Sequence, residues 1–140
     1  MIYNTGTSRE ILFRGKNRTL DKWVEGDYKK NGKDVLIGEE LRAGTYHYVD
    51  PASVGQYVNR TDKNGTRIFE GDVVQLYTEI NGETFQGKYV VYYEDAYCAF
   101  MLRDVEQKSY PTDLPVEKQC MDYEVIGNVY DNPELLEVTK

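Results

Sequence analysis

Apolar residues in this chain fall into short runs broken every few positions by Gly, Asn, Asp or Pro, and no stretch sustains the repeat of a long amphipathic helix. Ile11-Leu12-Phe13 reads as a first strand entering a turn at Arg14-Gly15-Lys16-Asn17, and Trp23-Val24 begins the next strand. Asn31-Gly32 separates two candidate strands and predicts a hairpin tip, because both residues tolerate the positive φ of a tight turn. Residues 38–43 fit either a helical turn or a loop. Residues 46–49 are rich in β-formers and precede Asp50-Pro51, which forces an extended residue and then a turn. With Asp50 as cap and Pro51 at a first helical position, one short helical turn is predicted there.

A polar turn at residues 61–66, with a second Asn-Gly at Asn64-Gly65, leads to Ile68-Phe69, a sharp bend at Glu70-Gly71 and a strand through Tyr77. Asn81-Gly82 marks a further hairpin. Residues 88–93 and 96–102 read as antiparallel neighbours joined at Glu94-Asp95 and as the central strands of the core. Residues 103–119 are polar, carry Pro111 and Pro115, and read as a surface loop or flap. A closing strand over 123–130, bent at Gly127, precedes Asn132-Pro133-Glu134, the start of a short terminal helix.

These elements define an all-β fold of short antiparallel strands, barrel-like or sandwich-like, with minor short helices. Residues 1–8 read as a flexible N-terminal tail, and residues 9–140 as the β domain. Glu25-Gly26-Asp27 echoes Glu70-Gly71-Asp72, each after an apolar pair and before an Asn-Gly hairpin, which raises a division into two β subdomains split near 50–60. The expected core is Phe13, Trp23, Ile68, Val74, Leu76, Val91, Phe100, Val125 and Ile126.

Composition narrows the function classes. At 140 residues with 40% hydrophobic and 13% aromatic positions, the chain can bury a core but is short for a large barrel enzyme or a full dinucleotide-binding fold. A net charge of -7 opposes broad binding to nucleic acid or anionic membrane. Cys98 and Cys120 lie in no C-x-x-C pair and read as buried or half-buried free thiols. No window approaches the apolar length of a membrane helix, and no export signal stands at the start, so a cytoplasmic protein is expected.

Four segments carry a resemblance: Arg9-Glu10-Ile11-Leu12-Phe13-Arg14-Gly15; Val49-Asp50-Pro51-Ala52-Ser53-Val54-Gly55-Gln56-Tyr57; Asp62-Lys63-Asn64-Gly65-Thr66-Arg67-Ile68-Phe69-Glu70-Gly71-Asp72-Val73-Val74; and Glu124-Val125-Ile126-Gly127-Asn128-Val129-Tyr130-Asp131-Asn132-Pro133-Glu134-Leu135-Leu136. In this order they resemble the YopX family of phage and prophage proteins, over the chain from about Arg9 to Leu136. The resemblance implies a small, mainly β protein with SH3-like or barrel-like units, encoded in temperate phages or integrated elements of bacteria. It implies no established activity, cofactor or catalytic residue. Residues 103–119 depart from the family pattern, and partner choice is expected to reside there.

Candidate chemistry is sparse. His47, the sole histidine, has no G-x-S-x-G elbow or reactive cysteine signature near it and reads as structural or surface. Asp62-Lys63-Asn64-Gly65 is similar to a fragment of a calcium loop, but the other ligand positions are missing and a hairpin turn explains it. Glu70-Gly71-Asp72 is explained as a tight turn in which Asp72 caps a local amide, ahead of any acid-base pair. No metal site and no cofactor are expected.

Thirteen tyrosines are the best functional hint, since Tyr supplies interface area with a polar tip. Cross-strand packing accounts for many, Tyr89, Tyr92 and Tyr93 above all. Tyr46, Tyr48 and Tyr57, with Lys29, Lys30 and Lys33, are the candidate partner-binding residues. The expected function is a non-enzymatic phage or prophage accessory protein that binds a protein partner or itself, as a homo-oligomer formed through strand edges. The alternative is modulation of nucleic-acid processes, by binding through the Lys29 to Lys33 hairpin or by acidic mimicry of DNA.

Overall fold

The β-branched and aromatic runs pair antiparallel throughout. The computed structural model describes residues 9–39, 44–106, 113–115 and 123–137. Its first sheet holds β1 (Phe13–Asn17), β2 (Lys22–Asn31), β3 (Asp34–Gly38), β4 (His47–Val49), β5 (Gly55–Thr61) and β6 (Arg67–Phe69), in the order β4-β3-β2-β1-β5-β6. The second holds β7 (Asp72–Ile80), β8 (Glu83–Glu94), β9 (Ala99–Asp104), β10 (Asp113–Pro115) and β11 (Tyr123–Asn128), in the order β10-β9-β8-β7-β11. The chain passes between sheets at Glu70-Gly71. Helix is confined, among the described residues, to two 3-10 turns, Pro51–Ser53 and Pro133–Leu136. The first has the expected cap, with the Asp50 carboxylate accepting the Ala52 N–H.

Strand alternation builds two cores. Val58 and Ile68 of the first sheet meet Val74, Tyr89, Val91 and Leu102 of the second, with Leu76, Phe100, Tyr123 and Val125 at the margin. Val35, Ile37 and Val49 form a smaller core of the first sheet, flanked by Phe13, Val24 and Val54. Of the expected core, Ile68, Val74 and Val91 are fully buried, while Trp23 and Ile126 are half-buried outside both cores.

The fold is all-β, but neither sheet closes into a barrel. Strand β4 curls back toward β1, where the Asp50 N–H donates to Lys16 O at 2.9 Å. Gly15 admits this approach, because a Cβ there would lie 2.7 Å from Val49 Cγ2. Closure stops because β4 has three residues and runs into Pro51, which has no N–H to extend a ladder.

Four local expectations are corrected. Residues 14–17 are strand rather than turn, with Gly15 and Asn17 buried on one side and Arg14 and Lys16 half-buried on the other. The first hairpin turns at Gly32-Lys33, since Asn31 stays in the ladder opposite Asp34 and only Gly32 has positive φ. At Asn81-Gly82, by contrast, both residues are left-handed, at φ 54 and 82, as a two-residue hairpin requires. Within residues 103–119, Arg103 and Asp104 end β9 and 113–115 add an edge strand to it, with Pro115 at the edge where a missing N–H is tolerated. The Glu-Gly-Asp echo is not structural, for residues 25–27 run inside β2 whereas Glu70-Gly71 is a turn. The expectation for residues 1–8 falls outside the described residues, as does most of that for 38–43.

Gly15→Ala should lower stability by about 1–3 kcal/mol through overpacking against Val49. Val49→Ala in the same chain should relieve part of that loss, so denaturant midpoints of the four-member cycle should show favourable coupling. Strict additivity would mean that the Gly15–Val49 approach does not limit the fold.

Candidate functional site

Arg14 leaves β1 toward the second sheet. Its guanidinium carbon lies 4.7 Å from the Trp23 ring centroid and 4.9 Å from that of Phe69, and its Nη2 stands 2.7 Å from Asp72 Oδ1. The Asp72 side chain is 1% exposed, and its Oδ2 accepts the Phe69 N–H at 2.7 Å. That is the amide cap expected from Glu70-Gly71-Asp72, extended by an ion pair the sequence did not reveal. Burial raises the Asp72 carboxyl above the usual carboxylate range, against the pull of Arg14.

A polar network continues outward from this pair. Trp23 Nε1 donates to Asp131 Oδ2 at 2.7 Å, and the Tyr130 ring meets the Trp23 ring edge-on at 5.8 Å. Tyr130 OH donates to Asp50 Oδ2 at 2.6 Å, and Arg18 pairs with the same carboxylate. Lys16 Nζ lies 3.5 Å from Asp131, and the Lys16 N–H donates to Ser53 Oγ at 2.7 Å. Asn128 Oδ1 accepts from the Tyr130 and Asp131 amides at 3.0 and 2.7 Å, fixing the segment that delivers both side chains. The Tyr130 hydroxyl, then the Ala52 amide and Arg18, hold Asp50 below the usual range; Trp23, then Lys16, do the same for Asp131.

Segments far apart in sequence, at 14–23, 50–54, 69–72 and 128–131, therefore meet at one junction. A hollow of about 260 Å³ remains beside it, lined in part by Arg14, Trp23, Val54, Glu70, Tyr92 and Tyr130. Asp62 does related work at the sheet edge. Its carboxylate accepts the Asn64, Thr66 and Val125 N–H groups, each at 2.9 Å, while the Lys63 N–H donates to Tyr123 O at 3.0 Å. Burial pushes the Asp62 carboxyl up, but the backbone hydrogen bonds outweigh it and hold it below the usual range. The calcium-like fragment is thus a turn that caps β11.

The partner-binding candidates separate. Lys29 stands opposite Leu36, and Leu36 opposite Tyr48, across β2, β3 and β4. Lys29 Nζ lies 5.5 Å from the Tyr46 ring, and Tyr48 is 65% exposed. Lys30 alternates to the other face, opposite Val35, and Lys33 sits in the turn. Tyr57 is 9% exposed and packs on Phe69 at 5.6 Å, inside the first sheet. His47 is half-buried opposite Ile37. Cys98 is an exposed free thiol at φ 50, in place of the buried or half-buried one expected, because the 95–98 turn carries it outward; Cys120 lies outside the described residues. No group of His, Cys, Asp and Glu among the described residues is arranged to hold a metal ion.

Fold and junction define a two-sheet, all-β protein locked by a buried ion pair and a Trp-Tyr-Asp network. Among its described residues, no helix is long and apolar enough to cross a membrane. The chain belongs to the YopX family, whose model, described as YopX protein, matches residues 12–137. It is similar in fold to a solved structure titled "Crystal structure of protein EF1440 from Enterococcus faecalis", with a TM-score of 0.54 and 23% identity, covering 93% of this chain and 100% of that one. No curated protein matches it.

Arg14→Ala should destabilise the fold by about 3–5 kcal/mol, since it strands a buried carboxylate; a loss below about 1 kcal/mol in urea unfolding would refute that role. Asp62 predicts a pH dependence. Its folded pKa is depressed, so its contribution is full above the unfolded value of about 3.9 and disappears as pH falls through the lower folded value. Urea midpoints of the wild type should fall from about pH 4 to pH 2 more steeply than those of Asp62→Asn. Parallel profiles would remove Asp62 from the acid response.

Proposed function

We propose that this YopX-family member is a non-enzymatic phage or prophage accessory protein, acting in the cytoplasm of a bacterial host, that binds a protein partner through the outer face of β2, β3 and β4. The observation that carries this reading is the alignment of Lys29, Leu36 and Tyr48 across three strands, with Tyr46 beside Lys29. An aromatic platform with an adjoining cation suits an extended, acidic protein segment, whose carboxylates meet Lys29 and whose apolar side chains cover Tyr48. Lys33 carries positive charge on to the hairpin tip, while Lys30 projects from the opposite face. The same combination of ring and cation suits single-stranded nucleic acid, but the net charge of -7 weighs against it.

The test is affinity capture from lysate of the phage-carrying host, using the wild type, Tyr48→Ala and Lys29→Glu, with protein and nucleic acid both analysed in the eluates. A saturable acidic protein retained by the wild type and lost with both variants is the expected result. Nucleic acid lost with Lys29→Glu would transfer the face to the other reading, and identical eluates from all three chains would overturn both.

A further inference from the structure

Two stretches of strand extend past their neighbours and carry opposite charge. Strand β9 pairs with β8 from Tyr89 to Glu94, with the Val105 N–H donating to Lys88 O just beyond, and β11 pairs with β7 from Asp72 to Leu76. The β7-β8 ladder nevertheless continues through Tyr77↔Gln86 to Ile80↔Glu83. Residues 77–86 therefore form a two-stranded ribbon with both edges unpaired among the described residues. An isolated ribbon of this kind is marginal alone, and its open N–H and C=O rows are a template for another strand. The ribbon is acidic: Glu79 and Glu83 are exposed, Tyr77 is exposed on the Glu79 face, and no Lys or Arg occurs between Tyr77 and Gly87.

The first sheet holds the complement. Strand β1 leaves β2 at Gly26, so residues 28–31 have an open edge on that side among the described residues; the hairpin carries Lys29, Lys30 and Lys33 against Asp27 and Asp34, a balance that is still positive. Neither these lysines nor Glu79 and Glu83 form an ion pair within the chain among the described residues. Resting on the reading of this hairpin as a protein-binding element, we propose that the open edge of β2, beside the Tyr48 face rather than on it, takes the 77–86 ribbon of a second copy. The contact joins two different patches, so it is head-to-tail and builds a ring or an open chain rather than a two-fold dimer. The net charge of -7 does not forbid it, because repulsion between distant charges is screened beyond about 10 Å at 0.1 M salt, whereas facing side chains lie within that distance.

Sedimentation velocity on the full chain tests the proposal with a charge exchange. The wild type should associate, and more weakly as salt rises. Glu79→Lys with Glu83→Lys, and separately Lys29→Glu with Lys30→Glu and Lys33→Glu, should each weaken association about tenfold or more with unchanged circular dichroism. An equimolar mixture of the two variants should associate again, since each ribbon then meets a hairpin of opposite charge. Monomeric wild type at every concentration, variants of undiminished mass, or a mixture that stays monomeric would each overturn the proposal. A monomer that still captures a separate acidic protein, lost with Lys29→Glu, would overturn self-association alone and leave the protein-binding reading standing.

Discussion

The structure depends on one buried charge pair. Arg14, from the first strand of the first sheet, reaches Asp72, the first residue of the second, and its guanidinium is held between the Trp23 and Phe69 rings. A guanidinium suits this place because its planar faces rest on aromatic rings while an edge meets the carboxylate. Replacing both partners with well-packed apolar groups need not destabilise such a pair, whereas losing one leaves a desolvated charge. Its main consequence is positional. Asp72 also accepts the Phe69 amide, so the pair sets the bend from β6 into β7 and, through β7, the registers of β8 and β11.

The same end of the molecule is closed by hydrogen bonds of long sequence span. Trp23 to Asp131 and Tyr130 to Asp50 join the tail of the second sheet to β2 and to the loop after β4 of the first. Asn128 turns the chain so that Tyr130 and Asp131 arrive together, using its own side chain to satisfy their amides. The segments that resemble the YopX family are thus packed against one another, and their spacing along the chain reflects the strands between them.

Edge management differs across the fold. Strand β11 is covered by the Asp62 turn, β9 carries the short β10 with its proline, and β4 leans on β1. Residues 28–31 and 77–86 have no such cover among the described residues, and they bear Lys29 and Lys30 of one hairpin and the glutamates of the other. Protected edges sit where the junction needs a fixed register; open ones sit where charged tips project beyond it.

Much of the fold was legible because it is local. Strand runs, the bend at Glu70-Gly71, the Pro51 turn and the two positive φ values at Asn81-Gly82 follow from side-chain sterics within a few residues. Family membership was legible too, since it rests on ordered segments. Lys29, Tyr46 and Tyr48 could be singled out by residue type, but their shared face depends on the β2-β3-β4 registers. What misled was polarity: Arg14 to Asn17 looks like a turn because charged and small residues ordinarily face water, and only the second sheet shows where Arg14 goes. Tyr57 and Tyr48 are the same residue type on similar strands, yet one packs on Phe69 and the other faces solvent. Strands, several of the turns and the lineage follow from the order of residues alone, because those depend on neighbours along the chain. Tertiary structure decided which polar groups are buried, which tyrosines are surface and which edges remain open, because those depend on partners brought together from dozens of residues away.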